Sequence, residues 1–322
     1  MRKIPAALAV LTLAVVGLTG CSMPGAAECT RPAVPDQDVI DLIAVSGSTD
    51  DAPDVDIRTP FHSTEVSFAD VVTGEGTPIS ADDQLVVLDI TVFSGETGEP
   101  VGSTTYDGAL TAVFPVSRWE QTFPSFDQAL DCATEGSRVV VALPPGEVEA
   151  ETAATMGLAE DDSAVAVVDI RKVYLPKADG KNQYNTGQGL PSVVRAPDGR
   201  PGIIVPDGAP PTDVVVQTIK KGDGPIVTGD VPVRVHYTGV LWDDHTVFDT
   251  TWDGDPASVT LDSVVPGFAQ ALEGQTVGSQ VMVVIPPDQG YGDEEQAGIP
   301  ADSTLVFVAD ILGLDPEPAP AQ

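Results

Sequence analysis

Apolar residues recur at every second position along three stretches in the C-terminal third of this chain. The stretches are 233–237, 281–285 and 305–311, and in each of them an apolar residue stands at every second position. A period of two is typical of a β-strand with one buried face. The C-terminal third is therefore predicted to contain a curved antiparallel sheet.

One short helix is predicted between the first two of these strands. Pro266 suits the first turn of a helix, and Phe268 and Leu272, four residues apart, lie on one face of it. Aromatic residues from the strands, the helix and the turns would then line one concavity: Tyr237, Phe248, Phe268, Tyr291 and Phe307. Among the acids, only Asp249 is directly beside a member of this set.

The chain also repeats itself, with four blocks in the same order in both halves. Such a repeat indicates a duplicated fold. The matches are 101–108 with 247–254, 123–130 with 265–272, 136–145 with 278–287, and 157–170 with 298–311. In this alignment Phe248 and Asp249 fall on Gly102 and Ser103. The earlier copy therefore lacks both the aromatic side chain and the carboxylate at these positions.

The order and spacing of five segments in the later copy resemble the FKBP-type peptidyl-prolyl cis-trans isomerases over residues 213–315. The segments are Val235-His236-Tyr237-Thr238-Gly239, Val247-Phe248-Asp249, Val264-Val265-Pro266-Gly267-Phe268, Ile285-Pro286-Pro287 running into Tyr291-Gly292, and Gly298-Ile299-Pro300 leading into Leu305-Val306-Phe307. The resemblance implies an α+β fold in which a curved antiparallel β-sheet wraps around a short α-helix. With the internal repeat, it implies two FKBP-like domains in tandem.

The resemblance also implies a site for the Xaa-Pro bond. Catalytic roles fall on Tyr237, Phe248, Asp249 and Tyr291, with the Tyr291 hydroxyl donating to the substrate carbonyl and Asp249 orienting the twisted amide. The walls that bind substrate would be Val264, Val265, Phe268, Ile299 and Phe307. No cofactor or metal is expected, because the barrier of about 18–20 kcal/mol to rotation comes from amide conjugation alone.

The aromatic set has two interpretations, a filled core and an open pocket. Asp249 favours the pocket, because an unpaired carboxylate buried beside Phe248 would be costly. The remaining matches to the earlier copy are Tyr237 with Ile90, Phe307 with Ala166, and Tyr291 with a loop near Glu149. The earlier copy is therefore predicted to have the fold without the activity.

The N-terminus has the pattern of an export signal. Arg2 and Lys3 precede an apolar run over 6–18, which is short for a membrane span and typical of a secretory signal. Its exit, Leu18-Thr19-Gly20-Cys21, resembles that of a bacterial lipoprotein, which implies cleavage before Cys21 and lipid on its thiol. The alternative is an ordinary cleaved signal with an incidental cysteine. The lipoprotein interpretation places the protein outside the cytoplasm, anchored to the bacterial cell membrane.

The other two cysteines, Cys29 and Cys132, are expected to form a disulfide in such a compartment. No metal-ligand spacing links them to the histidines, which are expected at the surface or at a strand edge: His62, His236 and His245. The formal charge of −34 disfavours nucleic acid as a partner.

These inferences divide the chain into a signal peptide (1–20), a lipidated tether (21–60), a degenerate FKBP-like domain (61–176), a linker (177–212), an FKBP-type isomerase domain (213–315) and a tail (316–322). The expected function is peptidyl-prolyl isomerisation that assists the folding of exported proteins at the membrane surface. Its partners would be proline-containing polypeptides and, by resemblance, the macrolide inhibitors of the family. The alternative is a non-catalytic chaperone or peptide-binding lipoprotein that uses the FKBP-like clefts.

Overall fold

The structure, a computed structural model, describes residues 29–184 and 187–316, which form two large β-sheets, two two-stranded sheets and short helices. This confirms the expected sheet-rich α+β fold. The predicted signal peptide, the lipidation site at Cys21 and the tail beyond 316 lie outside the described residues. No helix in the described part of the chain is long and apolar enough to cross a membrane.

The first half contains eight strands and four helices. In chain order they are α1 (Gln37–Ile40), β1 (Ile43–Ser46), β2 (Asp54–Ile57), β3 (Ser67–Val72), β4 (Leu85–Ser94), β5 (Pro100–Ser103), β6 (Phe114–Pro115), α2 (Val116–Thr122), α3 (Phe126–Ala129), β7 (Arg138–Leu143), α4 (Ala150–Met156) and β8 (Ala164–Val173).

The second half contains nine strands, one α-helix and two 3₁₀ turns in its described residues. The strands and the helix are β9 (Lys181–Asn182), β10 (Ser192–Arg195), β11 (Pro201–Ile204), β12 (Val215–Lys221), β13 (Val233–Leu241), β14 (Val247–Thr250), β15 (Ala257–Val259), α5 (Pro266–Leu272), β16 (Gln280–Ile285) and β17 (Leu305–Leu314). The 3₁₀ turns are Leu261–Ser263 and Pro287–Gln289.

The two large sheets have the same strand order. The first runs β3-β7-β8-β4-β5 with β6 added on β4, and the second runs β12-β16-β17-β13-β14 with β15 added on β13. Every strand pair in both sheets is antiparallel. The second sheet has one further strand, β9, on the outer edge of β12. The two halves therefore share one connectivity, as the internal repeat predicts.

The predicted helix of the second half is confirmed as α5, and it begins at Pro266. Phe268 and Leu272 are both buried against β16, β17 and β13 in one apolar core. Pro266 has a fixed φ that suits the first helical position, where no N–H is needed. The helix is only two turns long, so the buried face rather than the helix itself must hold it in place.

Parts of the predicted tether and linker pack onto the sheets in the residues that the structure describes. From residue 36 onward, α1 and the β1–β2 hairpin pack on the back face of the first sheet. The β10–β11 hairpin and Val205 likewise cover the back face of the second sheet. The reason lies in the central strands, which are buried on both faces: all residues of β7 and β16 are buried. A sheet that is apolar on both faces needs a cover on each side.

Buried polar contacts connect each hairpin to its sheet. In the first half, the Arg138 guanidinium forms an ion pair with Asp169 (2.7 Å) and donates to backbone carbonyls of the β1–β2 turn, including Ser48 (2.8 Å). In the second half, Arg195 of β10 donates to Gln280 (2.7 Å), and Gln280 donates to the buried Asp310 (2.6 Å). The hairpins are therefore integral parts of the two halves.

The expectation that all three histidines lie at the surface or a strand edge is wrong for His236, which is 7% exposed. Its ring stacks on Trp252 with a centroid distance of 4.3 Å, and its Nδ1 lies 2.9 Å from Thr251 Oγ1. Alternation does turn His236 away from the aromatic cluster, but Trp252 covers that face too. Burial lowers the pKa of His236 to about 4, although the carboxylates of Asp83 and Asp255 act in the opposite direction.

The halves meet directly after β8. The Tyr174 hydroxyl donates to Asp315 Oδ1 (2.7 Å), and its ring leaves no room for a Cβ on Gly313, which would lie 2.5 Å from Tyr174 Cδ1. Arg234 Nε donates to the same Asp315 oxygen (2.7 Å). In the next residue, the Leu175 N–H donates to the Leu312 carbonyl (3.0 Å). The chain thus passes from one half into contact with the other without a free spacer.

Candidate active site

Four aromatic rings meet between the second sheet and α5. Tyr237 comes from β13, Phe248 from β14, Phe307 from β17 and Phe268 from the helix. Phe307 is central to the group, at centroid distances of 4.8 Å from Phe268, 5.3 Å from Phe248 and 5.9 Å from Tyr237. Phe268 and Phe307 are buried, whereas Tyr237 and Phe248 are half-buried. The rings form an aromatic wall, with two members open to the surface.

Gly239 makes the close approach of two rings to β13 feasible. A Cβ on this residue would lie 2.5 Å from Phe248 Cζ and 2.9 Å from Phe307 Cε1. Such distances are too short for any side chain, because the ring atoms already occupy that space. Gly239 lies within a predicted motif, but the motif by itself does not indicate this steric role.

Asp249 lies at the rim of this aromatic cluster and accepts a hydrogen bond from the Tyr237 hydroxyl (2.5 Å). The carboxylate is exposed, so the expectation that it is a buried acid is wrong. Burial and the bond to Asp249 both raise the pKa of Tyr237, with burial the larger cause. Tyr237 therefore remains a protonated donor at neutral pH and can hold the carboxylate in place.

The other predicted site residues surround the same rings. Val264 and Val265, just before α5, are half-buried and pack against the core, and Ile299 is buried within it. Tyr291 follows the Pro287–Gln289 turn and is exposed. Eight of the nine predicted site residues therefore lie together, because seven of them pack in one apolar cluster and Asp249 accepts the hydrogen bond from Tyr237.

This cluster is apolar, and the Tyr237 hydroxyl and the Asp249 carboxylate lie at its edge. The one cluster of potential metal ligands among the described residues is Cys29, Asp131 and Cys132. It lies in the first half, and its cysteine sulfurs are joined in a disulfide, with Sγ atoms 2.00 Å apart. The aromatic site therefore has the chemistry of an apolar binding pocket with a carboxylate and phenols at its mouth.

Strand β5 of the first half corresponds to β14, which carries Asp249 in the second half. The strand pairing shows that the sequence alignment was wrong by one residue along β5. Thr91 pairs with Ser103, whereas Thr238, its counterpart, pairs with Thr250. Asp249 therefore corresponds to Gly102, not Ser103, and Phe248 corresponds to Val101. The difference arises because the first half has one more residue before Asp107-Gly108, and Tyr106 there adopts a positive φ of 46°.

Side chains fill the space in the first half that is open in the second. A Cβ on Gly102 would lie 2.8 Å from Met156 Cε, so the Met156 side chain occupies the site where Asp249 projects. Phe123, in the position of Val265, is buried and stacks on Phe126 at 4.7 Å. The segment near Glu149, predicted to be a loop, is instead the start of α4, which brings Met156 there.

Comparison with known proteins finds matches to the second half of the chain. The family model described as FKBP-type peptidyl-prolyl cis-trans isomerase matches residues 224–312. An FK506-binding protein of Streptomyces anulatus is 34% identical over 120 residues, which are 36% of this chain and 97% of that protein. A probable FK506-binding protein of Corynebacterium glutamicum is 32% identical over 114 residues, covering 35% and 97% of the two chains. The crystal structure of FkpA from Escherichia coli is 32% identical over 42% of this chain and 55% of that chain, with a TM-score of 0.32.

Proposed function

The chain belongs to the FKBP-type peptidyl-prolyl cis-trans isomerase family, and we propose that residues 213–315 catalyse the isomerisation of Xaa-Pro bonds in polypeptides. The observation that carries this proposal is the cluster of the Tyr237, Phe248, Phe268 and Phe307 rings, with Asp249 held at its rim by the Tyr237 hydroxyl.

The chemistry requires no covalent step. The planar amide resists rotation by about 18–20 kcal/mol because it is conjugated, and the twisted amide loses that conjugation and much of its polarity. An apolar pocket therefore favours the twisted form over the planar ground state. In this mechanism the prolyl ring lies against Phe248, Phe268 and Phe307, and no proton is transferred.

The polar groups at the rim orient the peptide. Tyr291 is exposed and donates its hydroxyl to the carbonyl that precedes proline. The Asp249 carboxylate, fixed by Tyr237, acts electrostatically on the twisted amide. The backbone N–H of Val265 holds the chain before the proline. Val264 and Ile299 complete the apolar walls.

Isomerase kinetics of matched variants test the site. Phe248→Ala and Asp249→Ala in the mature full-length protein should each slow cis-to-trans relaxation of an Xaa-Pro peptide about tenfold or more, which is a loss of about 1.4 kcal/mol of transition-state stabilisation. The matched control is Val101→Ala, at the position in the first half that corresponds to Phe248, and its rate should equal that of the wild type. A folded wild-type protein that is no faster than buffer would overturn the proposal.

The same assay tests the proposal that the two halves are tandem FKBP-like domains and that the first is inactive. The shared strand order supports the duplication, and the Met156 side chain against Gly102 supports the loss of the site. The Phe248→Ala, Asp249→Ala double variant is compared with a triple variant that also carries Val101→Ala. If the double variant retains isomerase activity and the triple variant has less, the first half is active.

We also propose that the protein is lipid-anchored through Cys21 on the outer face of the bacterial cell membrane and assists exported proteins. The disulfide between Cys29 and Cys132 supports an oxidising compartment, where such bonds persist. Intact-mass analysis of the exported protein under non-reducing conditions should find acyl chains on Cys21 and no thiol that can be alkylated. An unlipidated chain that begins elsewhere, or two free thiols, would contradict this assignment.

A second candidate is a chaperone that holds extended chains without turnover. The first half favours it as an additional role, because that half keeps the strand order of the second without counterparts of Phe248 and Asp249. The two functions are separable, because a holding role would survive Asp249→Ala whereas isomerisation would not.

A further inference from the structure

A second concavity lies in the first half, between α4 and the start of β8. It has a volume of about 500 Å³, within the range of about 300–1,000 Å³ that is common for ligand sites. Its apolar walls are Pro144, Val148, Ala153, Ala154, Leu158 and Ala164. We call it the α4 groove.

Acidic side chains line the same groove. Glu149 and Glu160 are exposed and Asp162 is half-buried, and all three belong to its lining. The N–H groups of Glu151 and Thr152 donate to the Glu149 carboxylate and lower its pKa, so it is charged at neutral pH. The sequence from 139 to 170 contains seven acidic residues and no Lys, Arg or His. The groove is therefore apolar inside and negatively charged around its edge.

The internal repeat places this groove next to the former cleft of the first half. In the second half, the corresponding segment contains the Pro287–Gln289 turn, which is followed by the exposed Tyr291. In the first half it forms α4, whose Met156 fills the cleft. The same helix leaves Ala153 and Ala154 on the groove, and such small side chains give an incoming side chain room to enter.

We propose that the α4 groove binds an extended polypeptide segment in which aliphatic side chains are flanked by Lys or Arg. The apolar walls take the aliphatic side chains, and desolvation of these groups drives binding. Glu149, Glu160 and Asp162 pair with the flanking cations, which selects against acidic segments. The proposed recognition does not require proline. The α4 groove lies in the first half, so this site is separate from the proposed isomerase cleft in the second half.

The binding experiment uses a fluorescein-labelled peptide, Gly-Lys-Lys-Leu-Val-Leu-Lys-Lys-Gly, and the mature full-length protein. Fluorescence anisotropy should show saturable binding that weakens as salt rises, because exposed charges are screened. The peptide with Glu in place of Lys should not bind. A peptide with Ser in place of Lys that binds equally well would mean that the groove takes neutral apolar ligands, and it would overturn the proposal.

Substitutions locate the site. Ala154→Trp, which fills the groove, and Glu160→Lys, which reverses a charge at its edge, should each weaken binding at least tenfold. Glu96→Lys makes the same charge change at an exposed turn between β4 and β5, and its binding should match the wild type. If Ala154→Trp changes the thermal unfolding transition measured by circular dichroism, the peptide affinity of Glu160→Lys decides whether the peptide binds in the α4 groove.

Isomerase measurements separate this proposal from the proposed function. Ala154→Trp and Glu160→Lys should keep the wild-type rate with an Xaa-Pro peptide, and Phe248→Ala should keep the wild-type affinity for the basic peptide. Loss of peptide binding in Phe248→Ala would place the peptide in the second half's cleft and overturn the assignment. Unchanged binding in both groove variants would overturn it as well.

Discussion

At the scale of single residues, the hydrogen bond from Tyr237 to Asp249 explains how an exposed carboxylate can have a defined position. Asp249 alone, on an edge strand, would be free to rotate into solvent. The bond of 2.5 Å fixes it beside Phe248, and the half-buried Tyr237 ring is itself held by contacts with Phe268 and Phe307. The position of the carboxylate therefore depends on the whole aromatic cluster.

His236 gives the residue-scale prediction, a pH dependence of stability. Its pKa is about 4 in the folded protein and about 6.5 when unfolded. Between these values the unfolded chain binds the extra proton, so the free energy of unfolding should fall as pH drops below about 6.5. At pH 5 the loss attributable to this ring is about 2 kcal/mol. Urea unfolding at pH 7 and pH 5 measures it.

The control for this prediction is His236→Gln, a polar replacement without a titratable group. The variant should lose less stability than the wild type between pH 7 and pH 5. Carboxylates titrate in both proteins and cancel in the difference. Equal losses in the two proteins would show that His236 does not contribute.

At the scale of elements, the sequence predicted those with a strong local pattern. Strands β13, β16 and β17 have an apolar residue at every second position, and α5 has Pro266 at its start, so all four were found. The two hairpins were missed because four-residue strands are stable only when a sheet covers them. Helix α4 was missed because an isolated seven-residue helix is marginal, and its contacts through Met156 are not visible in sequence.

The candidate site shows the same division between local and distant determinants. Its aromatic walls were predictable, because each belongs to a short motif. The exposure of Asp249 was not predictable, since it depends on the distant Tyr237. The register of β5 was assigned wrongly because an ungapped match of two blocks cannot detect one extra residue in the turn that contains Tyr106.

The hairpin over the second sheet gives the element-scale prediction. Val205, directly after β11, is 6% exposed, whereas the neighbouring Ile204 is 58% exposed. Val205→Ala should lower the free energy of unfolding by about 1–3 kcal/mol through lost burial and a cavity, and the matched Ile204→Ala should change it by less than about 0.5 kcal/mol. Chemical denaturation measures both. Equal effects would mean that the hairpin is not part of the folded unit.

At the scale of the whole molecule, the two halves are connected by side-chain contacts as well as by the chain. Asp315 accepts hydrogen bonds from Tyr174 of the first half and from Arg234 of the second. Tyr174 also contacts Gly313 and lies under the Arg234 guanidinium at 5.7 Å. One aromatic side chain therefore links the end of the first sheet to two strands of the second, and the halves are expected to unfold together.

Replacement of that side chain tests whether the halves are coupled. Tyr174 is 1% exposed, so Tyr174→Ala removes a buried ring and its bond to Asp315 together, at a cost of several kcal/mol. Calorimetry of the wild type should show one main transition, and the variant should show two. Tyr184→Ala is the matched control, because Tyr184 is 97% exposed. Since neither residue touches the aromatic site, isomerase activity below the first transition should stay at the wild-type value. A single, unshifted transition in Tyr174→Ala would mean that the halves are coupled through other contacts, such as the Leu175 to Leu312 hydrogen bond.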